Sequence, residues 1–230
     1  MAKSYHLYEI ETFPDFGANG NLKVPSQLAL LEGMEVPDTS ITMVAPDYHA
    51  GFSRCRVHHE MLVHIMGRAR GITFNEFIQP FDFEAYIHTR QGFIAFQGKG
   101  EVVNDAVDVL NKKLNGFQLR SRELDLKKLL PYITYIKGAW FKMSNPNLAA
   151  QALFGDHVDR DPSFERALKL GESMSTIMMN YEYNDNIYLA TVLREYGVVF
   201  YSNIFTETEL ELVLDIKRSL LDTAIISTDE

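Results

Sequence analysis

Apolar and polar positions along the chain alternate in two rhythms. "TSITMVA" (39–45) alternates strictly between Pro37 and Pro46 and predicts a strand. "SRCRVHHEMLVHIMGRARG" (53–71) carries Val57, Met61, His64 and Ile65 near helical spacing. Ser53 is placed to cap it and Gly71 stands near its end, so a helix is expected. "FDFEAYIHTRQGFIAFQ" (81–97) predicts two strands folded about Gly92, followed by a helix over about 101–114. "GFQLRSREL" alternates weakly, whereas "YITYIKGAWFKM" (132–143) is a strong strand pattern. "NPNLAAQALFG" (145–155) predicts a short helix with Asn145 as cap and Pro146 at the first position, and "DPSFERALKL" starts another in the same way. "SMSTIMMNYEY", "NIYLATVLREY" and "GVVFYS" then predict three antiparallel strands with turns at "NDN" and Gly197. The last helix, 206–222, opens with Thr206 and Glu209 at capping-box spacing. Most of the early turn chemistry lies in 12–39: "FPDFGANG", Pro25 and "EGMEVPD".

The order of elements repeats. "TRQGFIAFQGKGEVVNDAVDVLNKKL" and "LREYGVVFYSNIFTETELELVLDIKRSL" each run from an Arg through a turn glycine, a short apolar strand and a polar junction into a helix ending in a basic pair and Leu. A tandem duplication accounts for the match. The expected organisation is an N-terminal extension (1–36), a first half (37–130) and a second half (131–230). The apolar faces of the two long helices are expected to pack on the strands before them: Val102, Ala106, Val109 and Leu110 on Ile94 and Phe96, and Leu210, Val213, Leu214 and Ile216 on Val199 and Tyr201.

Composition narrows the class. With 230 residues, 46% of them apolar and 23% charged, the chain has the make-up of a folded protein with a sizeable core. No apolar run approaches the roughly 20 residues that span a bilayer, and "MAKSYHLYEIETF" lacks a signal-peptide pattern, so an intracellular protein with no membrane partner is expected. The single cysteine, Cys55, excludes an intrachain disulfide. The net charge of −9 argues against a general basic coat for nucleic acid, but residues 51–150 carry an excess of basic over acidic side chains while both ends are acidic.

Several local patterns suggest chemistry. "QGKGEVV" has a Gly-x-Gly after a strand and before a helix, but Val103 stands where a dinucleotide fingerprint has its third glycine, and the repeat copy "SNIFTE" has no Gly-x-Gly. A strand-to-helix corner is the simpler meaning, with Lys99 as a solvated side chain. "HHEMLVH" spaces His59 and His64 by five on the expected helix, where a zinc pair needs four. "GDHVDRDPSFE" (155–165) gathers three Asp, a His and a Glu without EF-hand spacing, and Asp161 before Pro162 serves as a helix cap. A metal-dependent enzyme built on the Asp156–Asp161 loop is one alternative. Cys55 lies between two arginines, an arrangement that lowers a thiol's pKa, but a lone cysteine more often packs. No catalytic residue, bound metal or cofactor is expected. The stretches 53–70 and 111–128 are basic and suit contact with phosphate.

On "RQGFIAFQGKGEVVND" and "REYGVVFYSNIFTETE" the chain resembles the TATA-box-binding-protein family, with Gly92 and Gly197 at the family's turn glycine. The resemblance implies an α+β fold: two related halves forming a curved antiparallel sheet with helices packed on its convex face. It implies a nucleic-acid-binding, transcription-related factor without enzymatic activity, contacting phosphate through Arg90, Lys99, Arg120, Arg122 and Arg194. Thr89 and Arg194 replace the family's kinking Phe, and Phe93 and Val198 replace its Lys, so TATA-box recognition does not carry over. The alternative partner is a protein, bound by an interaction module of the same fold.

Overall fold

The structure is a computed structural model and describes residues 2–16, 20–24, 37–144, 147–201 and 203–226. The expected turns at Pro25 and "EGMEVPD", and the cap at Asn145 and Pro146, lie outside the described residues. The chain divides into two compact units, one of Tyr8–Arg120 and one of Met1–Leu7 with Ser121–Glu230. Strand β1 (Lys3–Thr12) contributes its later residues to the first and its earlier residues to the second.

In the Tyr8–Arg120 unit, β2 (Asn21–Lys23), β3 (Thr39–His49), β4 (Phe52–Ala69), β5 (Ile72–His88) and β6 (Phe93–Gln97) follow one another edge to edge, and the later half of β1 completes the row. The pairings β2–β3, β3–β4, β4–β5 and β5–β6 are antiparallel. Helix α1 (Gly100–Lys113) leads to the short β7 (Gln118–Arg120), which pairs with β1. Val103, Val107 and Leu110 of α1 share one buried cluster with Ile41, Cys55, Val57, Ile94 and Phe96. Thus α1 covers the sheet face defined by alternate residues of β3 to β6. Of the residues expected on Ile94 and Phe96, Leu110 lies in that cluster and the half-buried Val109 packs against it, whereas Val102 and Ala106 are buried outside it and Val103 and Val107 take their place.

The second unit is also an antiparallel sheet. β8 (Ile136–Lys142), β9 (Ala150–Phe154), β10 (Ser173–Tyr183), β11 (Asn186–Leu193) and β12 (Gly197–Phe200) take the order β9-β8-β10-β11-β12, with Lys3–His6 of β1 beside β12. Helix α2 (Pro162–Lys169) lies between β9 and β10, and α3 (Thr206–Ile216) follows β12. Leu210, Val213 and Ile216 of α3 are buried. On β12 the buried residues are Val198 and Phe200, while Val199 is half-buried and Tyr201 exposed. The expected strand face is off by one residue, which in a period-two element inverts inside and outside.

The fold departs from the expected layer of helices on a convex face. About 50% of the described residues are strand and 26% helical, and the helices are few and short. Two expected helices account for much of the difference. Residues 53–71 belong to β4 and the turn after it, because Val57, His59, Met61 and Val63 repeat every second position; the i, i+4 spacing of Val57 and Met61 fits a strand face as well as a helix. Residues 150–154 form β9, paired with β8. The Thr206–Glu209 capping box is absent, since Phe205 takes the cap position and the buried Glu209 carboxylate accepts instead from Lys3 Nζ at 2.8 Å and Tyr5 OH at 2.6 Å. The two turn glycines also differ. Gly92 is left-handed (φ 65°), as its turn requires, whereas Tyr196 (φ 55°) takes that conformation in the second copy. Gly197 instead permits close approach of β1: a Cβ there would lie 2.9 Å from the Tyr5 carbonyl oxygen. Among the described residues no helix is long and apolar enough to cross a membrane.

Candidate functional site

In the Tyr8–Arg120 unit, β4 and β5 continue past their neighbours as a two-stranded ribbon. The ladder between β3 and β4 ends at the pair Thr39–His59, and that between β5 and β6 ends at Glu84–Gln97. From Glu60–Pro80 onward the two strands pair with each other as far as Ala69–Ile72. At about 3.3 Å per residue the ribbon is roughly 30 Å long. A bulge between His64 and Gly67 twists it near the tip. Alternation places Met61, Val63, Phe77 and Phe81 on the face that continues the core. Leu62 and Ile78 lie on the other face. The exposure is large for apolar residues: 45% for Leu62, 54% for Ile65, 81% for Met66 and 40% for Phe77. Arg68 and Arg70, next to the turn, are exposed. Farther down the ribbon His58 Nδ1 lies 3.0 Å from Asp82, and Arg54 makes a two-pronged bond to Glu84.

At the ribbon's base, where β6 ends, Phe81, Asp82, Phe83, Glu84, Gln97, Gly98, Lys99 and Val102 line a cavity of 390 Å³. The "GKG" stretch is the strand-to-helix corner at its rim. Lys99 has extended backbone, makes no side-chain cap and is exposed.

The five residues expected to contact phosphate are divided between the two units. Arg90 lies exposed in the single turn Thr89–Gln91, Lys99 is at the corner, and Arg120 ends β7 with Glu11 at 3.9 Å. Arg122 and Arg194 belong to the other unit. There Arg194 bonds Ser173 Oγ and the Glu123 carboxylate, the latter at 3.2 Å, so its charge is already met. Sequence reasoning passed over the ribbon's apolar tip, although "LVHIM" is a run of apolar residues that also suits a strand.

The Asp156–Asp161 loop is occupied by its own contacts. Asp156 pairs with Lys137 and accepts from Tyr135, and these bonds hold its carboxyl below the usual range. Asp161 accepts from Ser163 N at 2.7 Å and caps α2. Among the described residues no three His, Cys, Asp or Glu side chains gather as a metal site requires. A row of Thr39, His59 and Asp105 has the composition of a catalytic triad, with both ring nitrogens of His59 2.9 Å from their partners. Thr39 is only 1% exposed and His59 fully buried, so no substrate reaches the hydroxyl; the row ties β3, β4 and α1 together. Cys55 is fully buried, and burial, with a smaller effect of Glu84, pushes its thiol up to about 12, the opposite of an activated cysteine. Compared with known proteins, the chain matches no family model and no curated sequence.

Proposed function

We propose that the chain is a non-enzymatic, intracellular protein-binding module that grips its partner with the β4–β5 ribbon. The observation that carries this reading is the exposure of Leu62, Ile65, Met66 and Phe77 on a ribbon without a third strand among the described residues. A two-stranded ribbon is marginally stable in water, and clustered exposed apolar side chains mark a surface that a partner covers. The expected phosphate contacts give less support to nucleic acid, because Arg120 and Arg194 face carboxylates.

Arg68 and Arg70 favour a second reading, in which the ribbon enters a groove of nucleic acid with Ile65 and Met66 as apolar wedges. Salt separates the two. Phosphate contacts make affinity fall steeply between about 50 and 200 mM salt, whereas an apolar protein contact is nearly indifferent to it. The expected outcome is no salt-steep binding to single-stranded or duplex oligonucleotides. In extracts, the chain is expected in a larger protein complex that Leu62→Glu with Met66→Glu dissolves without lowering the melting temperature. Tight oligonucleotide binding lost in Arg68→Ala with Arg70→Ala would reverse the choice.

A further inference from the structure

We infer that the outer edge of β9 pairs with the β9 edge of a second copy of this chain, antiparallel about a two-fold axis at Leu153. The contact belongs to the unit that lacks the ribbon and does not rest on the protein-binding reading above.

The hydrogen bonds between β8 and β9 fix which backbone groups are free. Met143 N donates to Ala149 O at 3.0 Å and Gly155 N donates to Lys137 O at 3.0 Å, on rungs that continue the β8–β9 register at its two ends. Bonded pairs recur at every second residue of an antiparallel ladder, so Ala149, Gln151, Leu153 and Gly155 face β8. The N–H and C=O groups of Ala150, Ala152 and Phe154 therefore point the other way, where no strand lies among the described residues. All three residues are exposed. Sheet edges are ordinarily guarded against pairing by charge, proline or a bulge. "AQALF" has no charge and no proline, and its ladder with β8 runs without a break in register.

The side chains select the strand that fits. Phe154, 62% exposed, stands edge to face with Trp140, ring centres 4.5 Å apart, and covers Gly138, where a Cβ would come within 3.1 Å of its ring. Ala152, opposite Trp140, is small. With Leu153 on the axis, Phe154 of each copy stands opposite Ala152 of the other. Large and small then alternate across four strands: Trp140, Ala152, and the other copy's Phe154 and Gly138. One strand supplies both the large side chain and the space for it, as a two-fold contact requires. The same axis brings Ala150, the neighbour of Lys142 on β8, level with the other copy's Asp156. The Asp156 side chain is 70% exposed although it pairs with Lys137. Lys142 shares a cavity with Arg194, Glu123 and Glu195. Positive and negative groups thus balance at both ends of the edge. Two copies meet without like-charge repulsion, and Lys142 gains Asp156 as a counter-ion.

Sedimentation of the whole chain over a concentration series tests this. The ladder is short, so the expected dimer is weak and forms only at high concentration. Ala152→Pro removes an outward N–H without touching the bonds to β8, and Ala152→Lys puts a charge on the edge. The two-fold axis doubles each loss, so either change should weaken the dimer about tenfold or more, with the melting temperature unchanged. If Ala152→Pro unfolds the chain, Ala152→Lys alone decides. Leu153→Cys sets two thiols across the axis at a rung where side chains approach closely, and mild oxidation should join the copies. Leu62→Glu with Met66→Glu should leave the dimer intact. A monomer throughout the series, a dimer indifferent to the Ala152 variants, or Leu153→Cys chains that stay separate would overturn the inference. A dimer lost only in the ribbon variant would overturn it too, and would leave the ribbon reading standing.

Discussion

His59 shows how one buried side chain carries both packing and a pH dependence. Burial pushes its imidazole below the usual range, with the hydrogen bond to Asp105 opposing, and the nearby charged groups are Asp105, His58 and Glu60. The unfolded chain takes up the proton near pH 6.5, about the ordinary histidine value, while the folded chain resists it. Stability is therefore complete above that pH and is lost as pH falls below it toward the lower folded value. Denaturation midpoints are expected to drop more between about pH 7.5 and 5.5 in the native protein than in His59→Gln. Equal declines would remove His59 from the account. Cys55 gives a second expectation: a thiol reagent should label it only at the rate of unfolding, and rapid labelling of the native protein would contradict its burial. Of these details, the local ones were legible in the sequence. Asp161 before Pro162 declares a cap from neighbours alone. The burial of His59 depends on β3 and α1 meeting over it, a long-range fact that no neighbouring residue announces.

At the scale of elements, alternation in 39–45 and 173–200 announced strands correctly because β-branched and apolar residues occur there every second position. The stretch 53–71 misled because Val57 and Met61, four apart, share a face in either geometry, and the bulge at 65–66 breaks the period that would have decided it. Helix α1 was legible, and its packing yields a number. Phe96 is fully buried, with Tyr8 5.7 Å and Phe83 6.2 Å away between ring centres. Phe96→Ala is expected to cost about 3–5 kcal/mol in chemical denaturation. An unchanged midpoint would rule out α1 and β6 sharing a core. In the other unit, Gly197→Ala must push β1 from β12 or twist the strand, so a clear loss of stability is expected there. Gly71→Ala supplies the contrast: it has open space around a Cβ, and only its backbone conformation resists.

For the whole molecule, strand running into helix was legible at two places, where β6 leads into α1 and β12 leads to α3. The balance of strand to helix was not, since two segments with mixed periodicity became strands and tilted the chain toward sheet. Charges that look free in sequence, such as Arg54, Arg120 and Arg194, face carboxylates brought from elsewhere in their own unit, which the basic middle of the sequence does not announce. The tip of the ribbon is where the central claim is exposed. A photo-activated cross-linking residue in place of Met66, 81% exposed in the structure, reads directly what covers it in the cell. The account predicts a protease-sensitive adduct that disappears when Leu62→Glu and Ile65→Glu are added. A nuclease-sensitive adduct, or none above that of an exposed polar site such as Asn186, would contradict it.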